Sequence, residues 1–234
     1  MKRLKMIMAL AMTAAISFSM LSVTVFADNI NYFQNWTSDK GNGPQNGSTS
    51  GANGNTNFNC TINQATGTFN TTWTTTKQNF NNIVGLGWSG GKANRKIGFN
   101  LGVFNHTSGS TGCTYLGFYG WTRSPLKEFY IFENWVNYVP NDGTKVGTYT
   151  SDGGTYTFYY KNVNGINIDG NGPFIQVISI RDSKRTSGTI TLQNHINAWN
   201  SNSNTKPGTW VYQTFCVEGY NSTGSANGSV WETN

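Results

Sequence analysis

Gly and Asn divide this chain, at intervals of about ten residues, into short runs rich in Val, Ile, Thr, Tyr, Phe and Trp. These residues favour the pleated, half-buried surface of a β-strand. The clearest runs are KIGFNLGVF, TYLGFYGW, EFYIFENWVNYV, GTYTFYY, FIQVISI and TWVYQTFCVEGY. Only the segment from Thr191 to Asn200 has a helical pattern. The sequence therefore predicts an all-β fold of two packed antiparallel sheets, a sandwich or jelly roll, with one short α-helix.

The first 27 residues have the pattern of a secretory signal peptide. Lys2, Arg3 and Lys5 make a positive start, residues 6–26 are apolar apart from scattered Ser and Thr, and Ala27 suits cleavage. A retained membrane anchor is the alternative, because the apolar run is nearly long enough to span a bilayer. We expect cleavage and a secreted, extracellular, monomeric protein without membrane contact.

Charged residues make up only 11% of the chain, against about 25% in an average soluble domain. The leader holds three of the 16 basic residues and none of the 10 acidic residues, so a net charge of +3 remains. The basic residues are dispersed, which argues against nucleic-acid binding. The isolated acids, two histidines and three cysteines lack the spacing of EF-hand, two-metal or zinc sites. We therefore expect neither a metal nor a cofactor.

Residues 28–234 suit a single domain, because no Pro- or Ser-rich linker divides them. The polar, Gly- and Asn-rich stretch from Ser38 to Asn59 predicts a long surface loop between early strands. Cys60 and Cys113 could be joined in a secreted protein or stay reduced, and the sequence leaves both possibilities open. Cys216 is expected to be a packed free thiol.

Alternate residues of a strand share a face, which groups side chains around two glutamates. One face of residues 128–135 carries Glu128, Tyr130, Phe132 and Asn134. The other face carries Phe129, Ile131, Glu133 and Trp135. In the run TWVYQTFCVEGY, one face carries Tyr212, Thr214, Cys216, Glu218 and Tyr220. In the run TYLGFYGW, Tyr119 and Trp121 share a face. Tyrosines around a carboxylate suit a sugar-binding groove, since the ring stacks and the hydroxyl hydrogen-bonds, although strand aromatics also suit a packed core.

Seven stretches, in order along the chain, resemble the glycoside hydrolase family 11 endo-β-1,4-xylanases. They are NYFQNWT (31–37), GLGW (85–88), YGWTRSPLKEFYIFENW (119–135), SDGGTYTFYY (151–160), RDSKRTSG (181–188), NHINAW (194–199) and YQTFCVEGYNSTGSANGSVW (212–231). The resemblance covers nearly all of the chain after the leader. It implies a β-jelly roll shaped like a half-closed hand, and hydrolysis of internal β-1,4 bonds of xylan without a cofactor.

The resemblance places the nucleophile at Glu128, in PLKEFY, and the acid/base at Glu218, in VEGY. In a retaining glycosidase one carboxylate attacks the anomeric carbon. The other protonates the leaving oxygen and then activates water, and the two stand about 5 Å apart. The charge of the nucleophile and partial burial raise the pKa of the acid, which then keeps its proton near neutral pH. Glu133 and Glu232 are poor competitors, because one faces the opposite way and the other follows the last matching residue.

Other positions carry over from the family one by one. The implied substrate-binding residues are Trp36, which stacks a distal xylose, Tyr119 and Tyr130 beside the nucleophile, Tyr212 near the acid/base, and Gln176 at the base of the thumb. Asn81 resembles the residue beside the acid/base. As Asn rather than Asp it adds no negative charge, so the resemblance implies a pH optimum that is not strongly acidic.

The thumb, a hairpin over the cleft at residues 161–174, departs from the family pattern. Family members usually have an arginine at its base and a Pro-Ser-Ile tip. Here Asn162 and Ile166 take those positions, and Lys161 is the one candidate to replace the arginine. Loss of a rigid proline from a loop that clamps substrate affects affinity, rate and preference among decorated xylans, but leaves the catalytic pair intact.

Two other functions stay open. One is a related jelly-roll β-glucanase such as a cellulase, against which the YGWTRSPL and NHINAW stretches argue. The other is a polysaccharide-binding module descended from such an enzyme. The altered thumb favours it weakly, whereas the intact Glu128 and Glu218 argue against it.

Overall fold

The computed structural model describes residues 27–50, 56–75 and 79–233, and the predicted leader up to residue 26 lies outside them. Along the chain the elements are β1 (Tyr32–Thr37), β2 (Gly41–Asn42), β3 (Asn46–Ser50), β4 (Thr56–Asn63), β5 (Thr68–Thr75), β6 (Asn81–Ser89), β7 (Lys96–His106), β8 (Cys113–Arg123), β9 (Lys127–Val136), β10 (Thr144–Ser151), β11 (Gly154–Asn167), β12 (Gly170–Arg181), β13 (Ser187–Thr191), α1 (Leu192–Trp199), β14 (Thr209–Tyr220) and β15 (Gly224–Thr233). None of the helical residues described forms a segment long and apolar enough to cross a membrane.

The strands form two sheets. Sheet A has nine strands in the order β10-β11-β12-β9-β8-β14-β6-β1-β2, and sheet B has six in the order β13-β7-β15-β5-β4-β3. Neighbouring strands are antiparallel except β12 and β9, the third and fourth strands of sheet A, which run parallel. The prediction of an all-β, two-sheet jelly roll with one short helix is confirmed for the described residues.

Sheet A has an apolar cluster on each of its two faces. On the inner face Phe129 and Ile131 belong to the core shared with sheet B, where Phe99 of β7 and Phe215 of β14 stack with ring centroids 4.3 Å apart. The other face carries a second cluster, which consists largely of aromatic side chains and includes Tyr130. Both faces are apolar because one packs on sheet B and the other forms the floor of a cleft.

Helix α1 matches the predicted helix to within one residue at each end. Its buried residues are Leu192, His195, Ile196 and Trp199, which recur at the spacing of one helical face. The Trp199 indole packs on Phe129 at 4.8 Å between ring centroids and donates a hydrogen bond to Ser179 of β12. The helix therefore covers the inner face of sheet A beside β9 and β12.

The prediction of one long loop from Ser38 to Asn59 was wrong. The segment contains β2, β3 and the start of β4, while residues 51–55 lie outside the described part of the chain. Residues Asn46–Ser50 form the last strand of sheet B and, within the described part of the chain, pair with β4 alone. An edge strand needs little apolar surface, so a polar, Gly-rich sequence can form one.

A β-bulge in β9 reverses the alternation expected after Phe132. Gly117 of β8 pairs with Phe132 and the preceding Leu116 pairs with Asn134, which leaves Glu133 without a partner in the ladder. Trp135 consequently packs in the cleft-side cluster rather than on the opposite face as expected. A Cβ on Gly117 would stand 1.9 Å from the Ile131 carbonyl oxygen, so the bulge requires glycine there.

The bulge directs Glu133 into a polar network away from the cleft. Its fully buried carboxylate accepts a hydrogen bond from the Tyr156 hydroxyl at 2.7 Å and forms an ion pair with Arg185. The Arg185 backbone N–H also donates to the Glu133 carbonyl at 2.9 Å. Glu133 thus joins β9 to the segment that leads into β13.

The three cysteines are free and buried. Cys60 belongs to the core between the sheets, whereas Cys113 belongs to the cleft-side cluster. The possibility that these two form a disulfide is therefore excluded, and Cys216 is a packed free thiol as expected. Gly85 lies opposite Cys216, and a Cβ there would meet the Cys216 Cβ at 2.4 Å.

We expect Glu133→Ala to lower the free energy of unfolding by about 3 kcal/mol, because it leaves the partly buried Arg185 without its counter-charge. Urea denaturation at pH 7 measures this change. Asp142→Ala is the control, since it breaks the exposed pair with Lys161 and should cost less than about 1 kcal/mol. Equal midpoints for the two variants would contradict the expectation.

Candidate active site

A cavity of about 360 Å³ lies on the cleft face of sheet A, under the hairpin of β11 and β12. It is lined by Tyr32, Gln34, Trp36, Asn42, Asn81, Ile83, Tyr119, Trp121, Glu128, Tyr130, Ile166, Asn167, Ile168, Phe174, Gln176, Tyr212 and Glu218. Glu128 and Glu218 are the charged residues of this lining, and the rest are aromatic, aliphatic or neutral polar groups. Such a surface suits a large uncharged polar ligand.

Glu128 is held by donors from three strands. Its Oε1 accepts hydrogen bonds from the hydroxyls of Tyr119 on β8 at 2.8 Å and Tyr130 on β9 at 3.2 Å. Its Oε2 accepts one from the Gln176 amide on β12 at 2.7 Å. Burial raises the pKa of Glu128 above its usual value, although these three hydrogen bonds oppose the rise. The donors favour the ionised form, which a nucleophile needs.

Glu218 has fewer donors. The Asn81 amide donates to its Oε1 at 2.7 Å. Burial, together with the charge of nearby Glu128, raises the pKa of Glu218 to about 7, while the hydrogen bond from Asn81 acts in the other direction. Because Glu128 has three donors and Glu218 has the Asn81 amide, the hydrogen bonds favour ionisation of Glu128 before Glu218. Two carboxyl groups with separated pKa values are the requirement for one acid and one nucleophile.

The strand register explains how these groups meet. Gln176, Glu128, Trp121 and Tyr212 are successive cross-strand partners on β12, β9, β8 and β14. The parallel pairing of β9 and β12 brings Gln176 directly opposite Glu128. Cross-strand partners on one face lie about 5 Å apart, so the row forms a continuous floor.

All the residues that the sequence singled out for the site line this one cavity. They are Glu128, Glu218, Trp36, Tyr119, Tyr130, Gln176, Tyr212 and Asn81. The roles assigned to them remain predictions.

Tyr32, Gln34 and Asn42 line the cavity but were not predicted from the sequence. Tyr32 stacks on Tyr212 at 4.8 Å between ring centroids, and the Gln34 amide donates to the Tyr212 hydroxyl at 3.4 Å. Alternation along β1 offered the signal, because Tyr32 and Gln34 share the face of Trp36.

The hairpin over the cavity matches the expected thumb, which we define as residues 161–174. Its strands pair from Lys161 opposite Gln176 to Asn167 opposite Gly170. Lys161 leaves the sheet on the same face as Gln176, but it donates to Asp142 at 2.6 Å and is not among the residues that line the cavity. Ile166, 66% exposed, presents an apolar side chain above the cavity. At the tip Asp169 forms an ion pair with Arg123 at the end of β8.

The model of glycosyl hydrolases family 11 matches residues 28–229. The chain belongs to this family. It is 41% identical to endo-1,4-β-xylanase 3 of Pyricularia oryzae over 166 residues. This aligned stretch covers 70% of this chain and 67% of that protein. It is 48% identical to endo-1,4-β-xylanase 1 of Hypocrea jecorina over 149 residues. This stretch covers 63% of this chain and 62% of that protein.

A solved structure from a comparison of two major endo-1,4-β-xylanases of Trichoderma reesei is also similar. Its TM-score is 0.67 and its sequence is 38% identical, over 88% of this chain and 99% of that chain. The family indicated by the sequence motifs is confirmed, and the chain is a glycoside hydrolase. In the part of the chain that the structure describes, no group of three or more His, Cys, Asp or Glu side chains could hold a metal ion.

We expect Glu218→Gln to stabilise the protein above pH 7 by about 3 kcal/mol and to have no such effect below pH 4. The pKa of Glu218 is raised from 4.5 to about 7 on folding. The stability of the native chain is therefore highest below about pH 4.5, falls as the pH rises from there to the folded pKa of about 7, and stays at the lower level above it. A neutral amide removes that loss. Thermal unfolding of both chains at pH 4 and pH 8 tests this, and an equal difference at the two pH values would contradict it.

Proposed function

We propose that this glycosyl hydrolases family 11 chain is a secreted endo-1,4-β-xylanase, with Glu128 as nucleophile and Glu218 as acid/base. The observation that carries the proposal is the pair of buried carboxyls in one neutral, aromatic cavity, held by different sets of donors. Xylan, an uncharged polysaccharide, suits such a lining. The xylanase names of the relatives support the choice of xylan.

The chemistry proceeds in two steps with retention of configuration. An oxygen of ionised Glu128 attacks the anomeric carbon while Glu218 gives its proton to the leaving glycosidic oxygen. A glycosyl ester on Glu128 results. Glu218, now ionised, takes a proton from water, and the resulting attack releases the sugar and restores both groups. The Gln176 amide and the two tyrosines balance the charge of the Glu128 carboxylate in the resting protein.

The other lining residues position the polysaccharide. Trp36 on β1 offers a ring for stacking a distal xylose, and the Tyr32–Tyr212 stack forms the adjacent wall. The apolar Ile166 on the thumb closes over the opposite side of the cavity. Sugar rings present apolar C–H faces and a polar rim, which match aromatic faces and neutral amides.

The direct test is release of reducing sugar from xylan by the purified chain, with soluble β-glucan as the second substrate. We expect release from xylan, and at least about 10³-fold less from Glu128→Ala or Glu218→Ala, since each step needs both groups. Glu232→Gln is the matched control, because Glu232 pairs with Arg95 outside the cavity and should leave the rate unchanged. If the configuration at the anomeric carbon is retained, proton NMR should show the β-anomer of the product before the α-anomer.

Different outcomes identify the rival functions. Binding of xylan without hydrolysis would indicate a polysaccharide-binding module, and faster hydrolysis of β-glucan would indicate a glucanase. First release of the α-anomer would overturn the retaining mechanism. Azide then assigns the roles, since an activated aryl xylobioside should yield a β-glycosyl azide with Glu218→Ala and an α-glycosyl azide with Glu128→Ala.

The pH profile of kcat/KM should be bell-shaped, with an alkaline limb near pH 7. Activity needs Glu128 ionised and Glu218 protonated, and the pKa of Glu218 lies at about 7. Above that value the rate should fall about tenfold per pH unit. Initial rates on an aryl xylobioside between pH 3 and pH 9 measure the profile, and a maximum well below pH 5 would contradict it.

Secretion is inferred from the leader. The positive start, the apolar run and the small residue at Ala27 support export and cleavage. N-terminal sequencing of protein recovered from the culture medium should begin at Asp28. Recovery of the chain only from membranes, with Met1 or Lys2 at its start, would instead support a retained anchor.

A further inference from the structure

We propose that Trp121 is a positioning residue, whose indole N–H fixes the hydroxyl proton of Tyr119 on the Glu128 carboxylate. The Trp121 Nε1 donates to the Tyr119 hydroxyl oxygen at 2.6 Å, and that hydroxyl donates to Glu128 Oε1 at 2.8 Å. All three side chains are buried, with Trp121 only 2% exposed. The inference deepens the proposed function and rests on it.

The direction of this relay follows from the number of protons. An indole nitrogen is only a donor, so the Tyr119 oxygen must accept from Trp121. A phenol has a single proton, which then points away from the indole. Of its two remaining neighbours, Glu128 Oε1 and the Tyr212 hydroxyl, the carboxylate attracts it more strongly because it is charged. Donation into the oxygen also polarises the O–H bond, which strengthens the bond that Tyr119 gives to Glu128. Trp121 thus acts on the nucleophile without touching it.

The fold places the two aromatic rings for this purpose. Tyr119 and Trp121 are two apart on β8 and share the cleft face, while Trp121 is the cross-strand partner of Glu128. Phe174 of the thumb packs against the indole ring at 5.0 Å between centroids and helps to fix its orientation. The Tyr119 hydroxyl has a second neighbour, the Tyr212 hydroxyl, to which its proton can turn if the indole is removed.

The groups that face Glu128 come from β8, β9, β12 and β14. They are Tyr119, Tyr130, Gln176, Tyr212 and Glu218. Three of them donate to the carboxylate and so lower the pKa of Glu128 against the effect of burial. Weakening the Tyr119 bond therefore raises the pKa of Glu128, and the acid limb of activity moves to higher pH.

The test is the acid limb of kcat/KM for an aryl β-xylobioside with a good leaving group, which needs little proton donation from Glu218. We expect Trp121→Phe to move this limb up by about 0.5 to 1 pH unit, and Tyr119→Phe to move it by at least as much. In the Tyr119→Phe background, Trp121→Phe should add no further shift. An unmoved limb in Trp121→Phe, or an equal further shift in the double variant, would overturn the proposal.

Phe174→Leu is the matched control for lost packing. It removes the ring that contacts Trp121 but keeps the indole N–H, so it should raise KM and leave the acid limb in place. A shift in Phe174→Leu as large as that in Trp121→Phe would assign the effect to packing and overturn the relay.

A measurement on the unaltered chain does not depend on the folding of any variant. The NMR signal of the Trp121 indole N–H should shift as Glu128 titrates. An indole signal that stays constant through the titration overturns the relay. Absence of hydrolysis of xylan and of the aryl xylobioside would refute the proposed function, whereas the indole titration would still decide the relay.

Discussion

Two carboxyl groups share one cavity and are both almost withdrawn from water, with 7% of each glutamate exposed. Charging both at once is unfavourable, because burial penalises each charge and the two repel. The arrangement of hydrogen-bond donors decides which group is ionised first. Glu128 receives bonds from Tyr119, Tyr130 and Gln176, whereas the Asn81 amide is the main donor to Glu218. The difference between the two groups is thus a property of their neighbours.

The scarcity of charge elsewhere preserves this difference. The side chains around the pair are aromatic, aliphatic or neutral polar, so no cation in the lining draws the proton from Glu218. The buried Glu133 shows the contrasting case, because Arg185 pairs with it directly. A bulge in the same strand turns Glu133 away from the cleft, so one strand supplies a carboxyl of the cavity, Glu128, on one side and an ion pair on the other.

Sheet A carries out two tasks because its faces differ. The inner face joins the core with sheet B, where Phe129 packs on the helix residue Trp199. The opposite face holds the row of Gln176, Glu128 and Trp121, which the parallel pairing of β9 and β12 completes. A rigid core behind the sheet keeps these donors within hydrogen-bond distance of the carboxylate.

The sequence by itself determined the strand-rich fold, the short helix and the family, because strand propensity and motif spacing are local properties. Period-two alternation also grouped Glu128 with Tyr130 and Tyr119 with Trp121. Alternation stopped being a guide at the bulge, where Glu133 leaves the ladder and Trp135 changes face.

Only the tertiary structure decided the contacts that depend on strand order. The sequence could not show that β1 brings Tyr32 onto Tyr212, that Lys161 binds Asp142, or that part of the predicted loop before β4 pairs as an edge strand. These contacts join residues far apart in the chain, and strand pairing and register, rather than local pattern, bring them together. The identities of the two carboxyls are thus written in the sequence, but their separate pKa values are set by what the folded sheets place around them.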